Sequence, residues 1–491
     1  ERRGVGQTNH RVGCGARAAS GRGIRDRSRG PPLIWAPAPR IDHVSRRGLL
    51  WIAFVLVHVG VAWLGFLLPN APMGDVYLVY EPWSNDAIGG NGIVGVTLPW
   101  VYPAMAIVPM VLAHGFAWLG GGYIVGWAIL VSVCNALAFW MLIGRGRSMG
   151  RTIAAWFWLA FITLLGPVGM YRIDAITVPI AIAGCLWLFS RPRLAAALFT
   201  IGAWIKVWPA ALFAAAVIVA RRRVSVLTVG LAVTAGVVGV VALAGGMRHV
   251  FGFVTEQTGR GLQIEAPVST FFVWQAVWNP RHAFVYYDPD ILTYQVAGPN
   301  IDVVIALMTP LLVIAVLAVA ALGAFKVMRG GSFGRVMPPL ALALVLVFIV
   351  FNKVGSPQFQ TWMIAPLVFA VVLDRHRAWL TVVVGLLAAG LTQLVYPIMY
   401  GEVLRIDPIA LLVLSARNLT LVVLLAIAIT QLARVPRRAR PGSAVRATGR
   451  RAEPGVVVPA VSGTPAFADP SVAALADPDA TALADPGAPT S

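Results

Sequence analysis

Between Leu49 and Ala433 the chain repeats runs of about 20 apolar residues, each long enough as a helix to cross a bilayer core of roughly 30 Å. The first is LLWIAFVLVHVGVAWLGFLL, Leu49 to Leu68. Backbone amides have no water to bond in lipid, so only helices and closed barrels span it. Barrel strands would appear as shorter segments of alternating hydropathy. The sequence therefore predicts an all-α, polytopic helical membrane protein. Composition agrees: charged residues make up 12% of the chain, about half the share usual in soluble domains.

The formal net charge of +19 invites a nucleic-acid reading, but the charge is distributed otherwise. It concentrates in the Arg-rich stretch before Leu49, in RVPRRARP after the last apolar run, and in short loops such as RGRSMGR, RPR, Arg221–Arg223, KVMRGGSFGR and DRHR. Clusters flanking apolar runs set membrane orientation and attract anionic lipid. The expected partner is a lipid bilayer, with no nucleic acid. Three cysteines, Cys14, Cys134 and Cys185, indicate neither a disulfide framework nor a zinc site.

Placing every basic cluster on the cytoplasmic side forces the apolar runs to alternate around it. The stretch APMGDVYLVYEPWSNDAIGG then emerges outside. The region LPWVYPAMAIVPMVLAHGFAWLGG, broken by Pro99, Pro103 and Pro109, is expected to be interfacial or re-entrant. LAAALFTIGAWIKVWPAALFAAAVIVA has basic residues at both ends and is too short for two full spans. It is read as a short helical hairpin broken at IKVWP, with Lys206 at its tip and Pro209 opening the second helix. The sum is about twelve membrane segments with both termini cytoplasmic. Residues 1–47 are expected to be a basic, disordered cytoplasmic segment that does not read as a cleaved signal peptide. Residues 48–433 form the membrane domain, and 434–491 a disordered cytoplasmic tail rich in Pro, Ala and Asp.

In this topology the costly polar residues converge on the outer side. They include Asp75, Glu81, Asp86, Arg172, Asp174, Lys206, the RGLQIE stretch from Arg260 to Glu265, NKVGSPQFQ, Glu402, Arg405 and Asp407. Arg172 and Asp174, two residues apart, are weighed as partners of each other. Acids beside cations in an apolar cleft suit transfer from a lipid-linked phosphate donor to a hydroxyl. A carboxylate removes the hydroxyl proton, and fixed cations offset charge on the departing phosphate. A transporter or lipid-linked-sugar flippase is the alternative from another class, although no two-fold repeat of the kind common in transporters is visible.

Six segments carry a resemblance: GDVYLVYEPW, WVYPAMAIVPMVLA, YRIDAITVPIAIAG, GAWIKVWPAALF, RGLQIEAPVSTFFV and FNKVGSPQFQTWMIAPLV. The first two resemble the first outer loop of membrane glycosyltransferases of the GT-C superfamily. The other four are together similar to its glycosyltransferase family 87, which contains actinobacterial polyprenyl-phosphate-mannose-dependent α-mannosyltransferases. The resemblance covers about residues 49–433. It departs from the family where Tyr102-Pro103 is followed by Ala104 instead of a second proline. The resemblance implies an inverting transfer of mannose from polyprenyl-phosphate-mannose to a glycolipid or glycan acceptor. Another sugar, such as arabinose, is the variant within the superfamily. It further implies a multi-pass enzyme of the inner (plasma) membrane with an extracytoplasmic site. The implied catalytic base is the first-loop acid, Asp75, with Glu81 in reserve. By position, Lys206, Arg260 and Lys353 are candidates for the donor phosphate. Gln263, Glu265 and Gln358 are candidates for sugar or acceptor hydroxyls, and Tyr102, Arg172 and Asp174 complete the substrate-binding set. No cofactor is expected beyond the lipid-linked donor as co-substrate, and no metal. The D-x-D between the membrane segments, Asp288 and Asp290 in YYDPD, reads as a loop turn.

Overall fold

The computed structural model describes residues 45–436, apart from 256–258 and 290. The expectations for the two tails therefore fall almost wholly outside the described residues. The chain starts with α1 (Arg46–Leu67), capped by the Ser45 hydroxyl on the Gly48 amide, a π-helical turn Val76–Tyr80, and α2 (Glu81–Gly89). It continues through α3 (Ile107–Ala117), α4 (Gly122–Ile143), α5 (Met149–Leu165), α6 (Asp174–Trp187), α7 (Pro192–Ile205), α8 (Pro209–Val219), α9 (Arg223–Leu243) and the single turn α10 (Gly252–Thr255). Next come α11 (Thr270–Trp278), strands β1 (Phe284–Asp288) and β2 (Thr293–Ala297), α12 (Ile301–Met328) and α13 (Phe333–Val350). The last helices are α14 (Ile364–Gln393), α15 (Tyr400–Leu404) and α16 (Pro408–Ala433).

Among the described residues, eight helical stretches are long and apolar enough to cross a membrane. One of them, Pro357–Ile398, is broken by non-helical backbone at Asp374. Four apolar helices are shorter: Ala104–Ala117, Asp174–Trp187, Pro192–Ile205 and Pro209–Val219. The helical membrane architecture expected from the sequence is thus present. Its apolar surface supports the bilayer as partner: only 17% of the α9 span and 11% of the α12 span are buried. Leu231, Val240, Ile314 and Leu317 are each at least 60% exposed, and such wide apolar faces are foreign to water-exposed proteins. At the centre lies α13, with every residue from Val336 to Val347 buried.

One expectation needs correction: the first acidic stretch is not a loop, since Asp75 through Gly89 is continuous helical backbone. The helical fold also carries one short antiparallel hairpin, β1 with β2, pairing Phe284 with Ala297 and Asp288 with Thr293. Its sequence has the aromatic and β-branched content that favours strands.

Short elements behave as their prolines dictate. In α3 the 11 residues span only roughly 16 Å at 1.5 Å per residue, about half a bilayer core. It folds back on α4, where the Tyr123 hydroxyl donates to the Met110 carbonyl at 2.8 Å. A Cβ on Gly126 would lie 2.5 Å from the Ala113 carbonyl oxygen, the close approach that small residues permit between helices in lipid. The α7–α8 unit breaks at Lys206–Trp208, with Pro209 at the first position of α8. Ala196 at the start of α7 clusters with Ala220, just past the end of α8, so the pair is a hairpin.

The loops sort to two ends. Arg377 and Gln431 exchange side-chain bonds to each other's carbonyls, Lys326 donates to the Ala433 carbonyl, and Gly150 packs on Val372. Basic loops far apart in sequence therefore meet at one end of the bundle.

Candidate functional site

At the other end, helix termini and loops enclose a cavity of about 390 Å3. Its charged and amide lining comes from Asn70, Asp75, Arg172, Arg260, Gln263, Glu265 and Gln358. Aromatic groups add Trp83, Tyr102, Tyr294, Tyr396 and Tyr400.

Asp75 precedes the π-turn and is one-third exposed. Its Oδ1 pairs with the Arg172 guanidinium, and its Oδ2 accepts from the Tyr80 hydroxyl at 3.5 Å. Tyr80 is fully buried and also accepts from the Ile173 amide at 3.1 Å. The π-turn is thereby fixed to the segment that carries Arg172. Arg172 donates to the Tyr396 hydroxyl at 3.1 Å and lies over the Tyr396 ring. Burial works against the Arg172 charge, yet Asp75 beside it holds the guanidinium pKa above the ordinary arginine value. Tyr396 in turn donates to the Asn70 carbonyl at 3.2 Å, and the Asn70 amide donates to the Pro397 carbonyl at 2.7 Å.

Arg172 and Asp174 do not pair with each other. Asp174 is fully buried behind the cavity, where its Oδ1 accepts from Trp362 Nε1 at 2.6 Å. The Trp362 ring stacks on Trp208. Lys206 ends α7 in extended backbone and places its ammonium 4.1 Å from the centre of the Tyr102 ring. That is cation–π contact behind a lining residue. Glu81, the reserve acid, starts α2 outside the cavity lining, so only Asp75 of the two faces this space. Asp86 is exposed.

The wall opposite Asp75 is built from two loops. The Gln263 amide donates to the Lys353 carbonyl at 3.0 Å, and Gln263 Oε1 accepts from the Gly355 amide at 3.1 Å. Much of the hydrogen-bonding capacity of Gln263 is therefore structural. A Cβ on Gly355 would lie 2.2 Å from the Ala266 nitrogen, so only glycine lets the loops touch. Both are tied from below by Arg417, fully buried in α16, which donates to the Glu265 carbonyl at 3.0 Å and to the Gly355 carbonyl at 3.1 Å. Glu265 is buried, with the Tyr400 hydroxyl and the Arg417 guanidinium near its carboxyl. Burial pushes its pKa above the ordinary 4.5, against the partial opposition of its hydrogen bonds and Arg417. Its Oε2 has no hydrogen-bond partner among the described residues, and neither has Arg260 Nε. Burial also lowers the pKa of Arg260, and of Lys353, on which Arg260 acts as a second, repulsive cause.

Of the remaining loop residues, Glu402 and Arg405 pair with each other, and Asp407 caps α16 through the Ile409 and Ala410 amides. Sequence reasoning missed Asn70, Tyr396, Tyr400 and Arg417. For Arg417 a signal existed, since an arginine inside LLVLSARNLTLVVLL needs a partner at membrane depth. Among the described residues no group of three or more His, Cys, Asp or Glu side chains is placed to hold a metal. Asp290 lies outside them. No protein-family model, curated protein or solved structure matches the chain.

Proposed function

We propose that the chain is an integral-membrane, inverting glycosyltransferase. It moves a sugar, mannose by the family resemblance, from a polyprenyl-phosphate donor to a hydroxyl of a glycolipid or glycan. The observation that carries this reading is the cavity itself. One part-exposed carboxylate, Asp75, shares it with the guanidinium groups of Arg172 and Arg260 and with the polar side chains of Gln263, Glu265 and Gln358.

The acceptor oxygen attacks the anomeric carbon from the side opposite the phosphate. As the new C–O bond forms, the bond to the phosphate oxygen breaks and its electron pair leaves with polyprenyl phosphate. Asp75 takes the acceptor proton, so a β-linked donor yields an α-linked product. Arg172 and Arg260 offset the charge that grows on the phosphate, with Lys206 and Lys353 behind them. Glu265, Gln263 and Gln358, which line the same cavity, are assigned to sugar or acceptor hydroxyls.

The same reading sets about twelve membrane segments. Pro357–Ile398 counts as two, α6 and the α7–α8 hairpin cross as shorter elements, and α3 is re-entrant. The basic loops then face the cytoplasm, and the cavity opens on the extracytoplasmic side of the inner membrane.

The test is transfer by purified protein in lipid, given polyprenyl-phosphate-mannose and a crude glycolipid extract. Asp75→Asn is expected to lower the rate by roughly 10²–10⁴-fold, the usual worth of a general base. Equal transfer by Asp75→Asn removes Asp75 as the base. No transfer by the unmodified protein from any polyprenyl-phosphate sugar sinks the class.

A further inference from the structure

A second cavity lies at the basic end of the bundle and takes no part in the proposed transfer. It measures about 990 Å3 and lies where α6, α7, α8, α9, α12 and α13 have their ends. Its charged lining is Arg221, Arg222 and Arg335, and its apolar walls include Phe189, Val226 and Phe333. No hydrogen bond or ion pair engages the side chains of those three arginines among the described residues. By contrast, neighbouring Lys326 donates to the Ala433 carbonyl and Arg329 stacks on Phe325. Three guanidinium groups around an apolar hollow have the chemistry of a phosphate-ester site, because the planar fork of arginine bonds phosphate oxygens in pairs.

The surroundings choose the source of that phosphate. The adjacent flanks of α9 and α12 are apolar and uncovered, with Val224 and Met328 each 75% exposed and Leu227 44% exposed. A soluble phosphate would leave both the apolar walls and these flanks unmatched. The chain reaches the cavity lining at Pro436, but the Arg437-Arg438 that follows repeats the charge of the rim and makes that segment a poor occupant. Basic pockets between membrane helices are known receivers of anionic headgroups.

We propose that this cavity is a binding site for an anionic phospholipid. The headgroup phosphate is held by Arg221, Arg222 and Arg335, and an acyl chain runs along the apolar wall toward α9 and α12.

The test measures binding of phosphatidylglycerol to the purified detergent-solubilised chain by native mass spectrometry and by the rise in Tm. Phosphatidylcholine and inorganic phosphate serve as separate arms. Saturable binding and a Tm rise with phosphatidylglycerol alone are expected. The triple change Arg221→Gln, Arg222→Gln, Arg335→Gln weakens binding on the order of a hundredfold. A control with equal loss of charge at the same end, Arg145→Gln, Arg147→Gln, Arg375→Gln, leaves binding within about threefold. Ser332→Phe adds an aromatic ring to the cavity lining while keeping every charge. Ser332 forms no side-chain cap bond to α13, so the helix start is preserved while lipid binding falls. Equal stabilisation by inorganic phosphate overturns the lipid assignment. Equal loss in the control, or full binding in both the triple variant and Ser332→Phe, overturns the site.

Discussion

At the scale of single residues, Asp75 and Arg172 are 97 positions apart in the chain, yet each is the other's ion partner. Two acids in the same cavity stand in opposite states of exposure. Asp75 is one-third exposed, whereas Glu265 is 2% exposed with one oxygen unpartnered among the described residues. This difference sets a pH dependence. Because burial raises the Glu265 pKa above 4.5, the folded state binds more protons than the unfolded state just above that pH. The stabilisation of its protonated form is complete below 4.5 and is lost as pH rises through the higher folded-state value. Glu265→Gln mimics the protonated form. It is therefore expected to match the unmodified protein near pH 4.5 and to exceed its Tm at about pH 8, where a free carboxyl is ionised. A Tm difference that stays constant over that range would rule out a buried carboxyl of this kind. The candidate residues legible in the sequence were the ones whose cost is local: a charge at the edge of an apolar run is anomalous in any fold. Asn70, Tyr396 and Tyr400 carried no such mark. Their roles arise only when the end of α1 meets the segment after α14.

At the scale of elements, the site depends on how closely loops approach. Gly355 is the clearest case, since a methyl group there would collide with backbone at Glu265 and Ala266. Neither side of that contact is a flexible side chain that can move away. Gly355→Ala is expected to cost about 1–3 kcal/mol, the usual range for overpacking. It should show as a lowered Tm even where transfer is not measured. A Tm within a degree or so of the unmodified protein would mean that the two loops part easily. The α7–α8 hairpin was legible because proline and lysine interrupt an otherwise apolar run. The β1–β2 hairpin had a signal too. FVYYD and TYQVA flank P-D-I-L and are rich in strand-favouring aromatic and β-branched residues. Expecting only helices and loops between membrane segments hid it. The π-turn at Val76–Tyr80 had no comparable mark, because its register is set by Tyr80 reaching across to Ile173.

At the scale of the whole molecule, the cavity with Asp75 and the hollow with Arg221, Arg222 and Arg335 lie at opposite ends of the bundle. Single cysteines report this directly once Cys14, Cys134 and Cys185 are replaced by serine. Cysteine placed at exposed Asn91 is expected to react with an impermeant thiol reagent added outside intact cells. Cysteine at exposed Arg147 is expected to react only after the membrane is opened. Labelling of both from one side would refute the topology. The helical, membrane-like character of the apolar runs was legible because lipid demands it of any sequence. Their mutual packing was not, since it rests on shape at contacts such as Gly126 against Ala113.

The bonds between Asn70 and the Tyr396–Pro397 pair join positions 327 residues apart or nearly so. A chain emerging from the ribosome inserts its first helix long before Tyr396 exists. Until then the Arg172 guanidinium lacks its tyrosine partner and the rim of the cavity stays open. The chamber, on this arrangement, is completed late in synthesis and all at once. A nascent or truncated chain that ends before α15 could embed in the membrane, but it would carry no finished chamber.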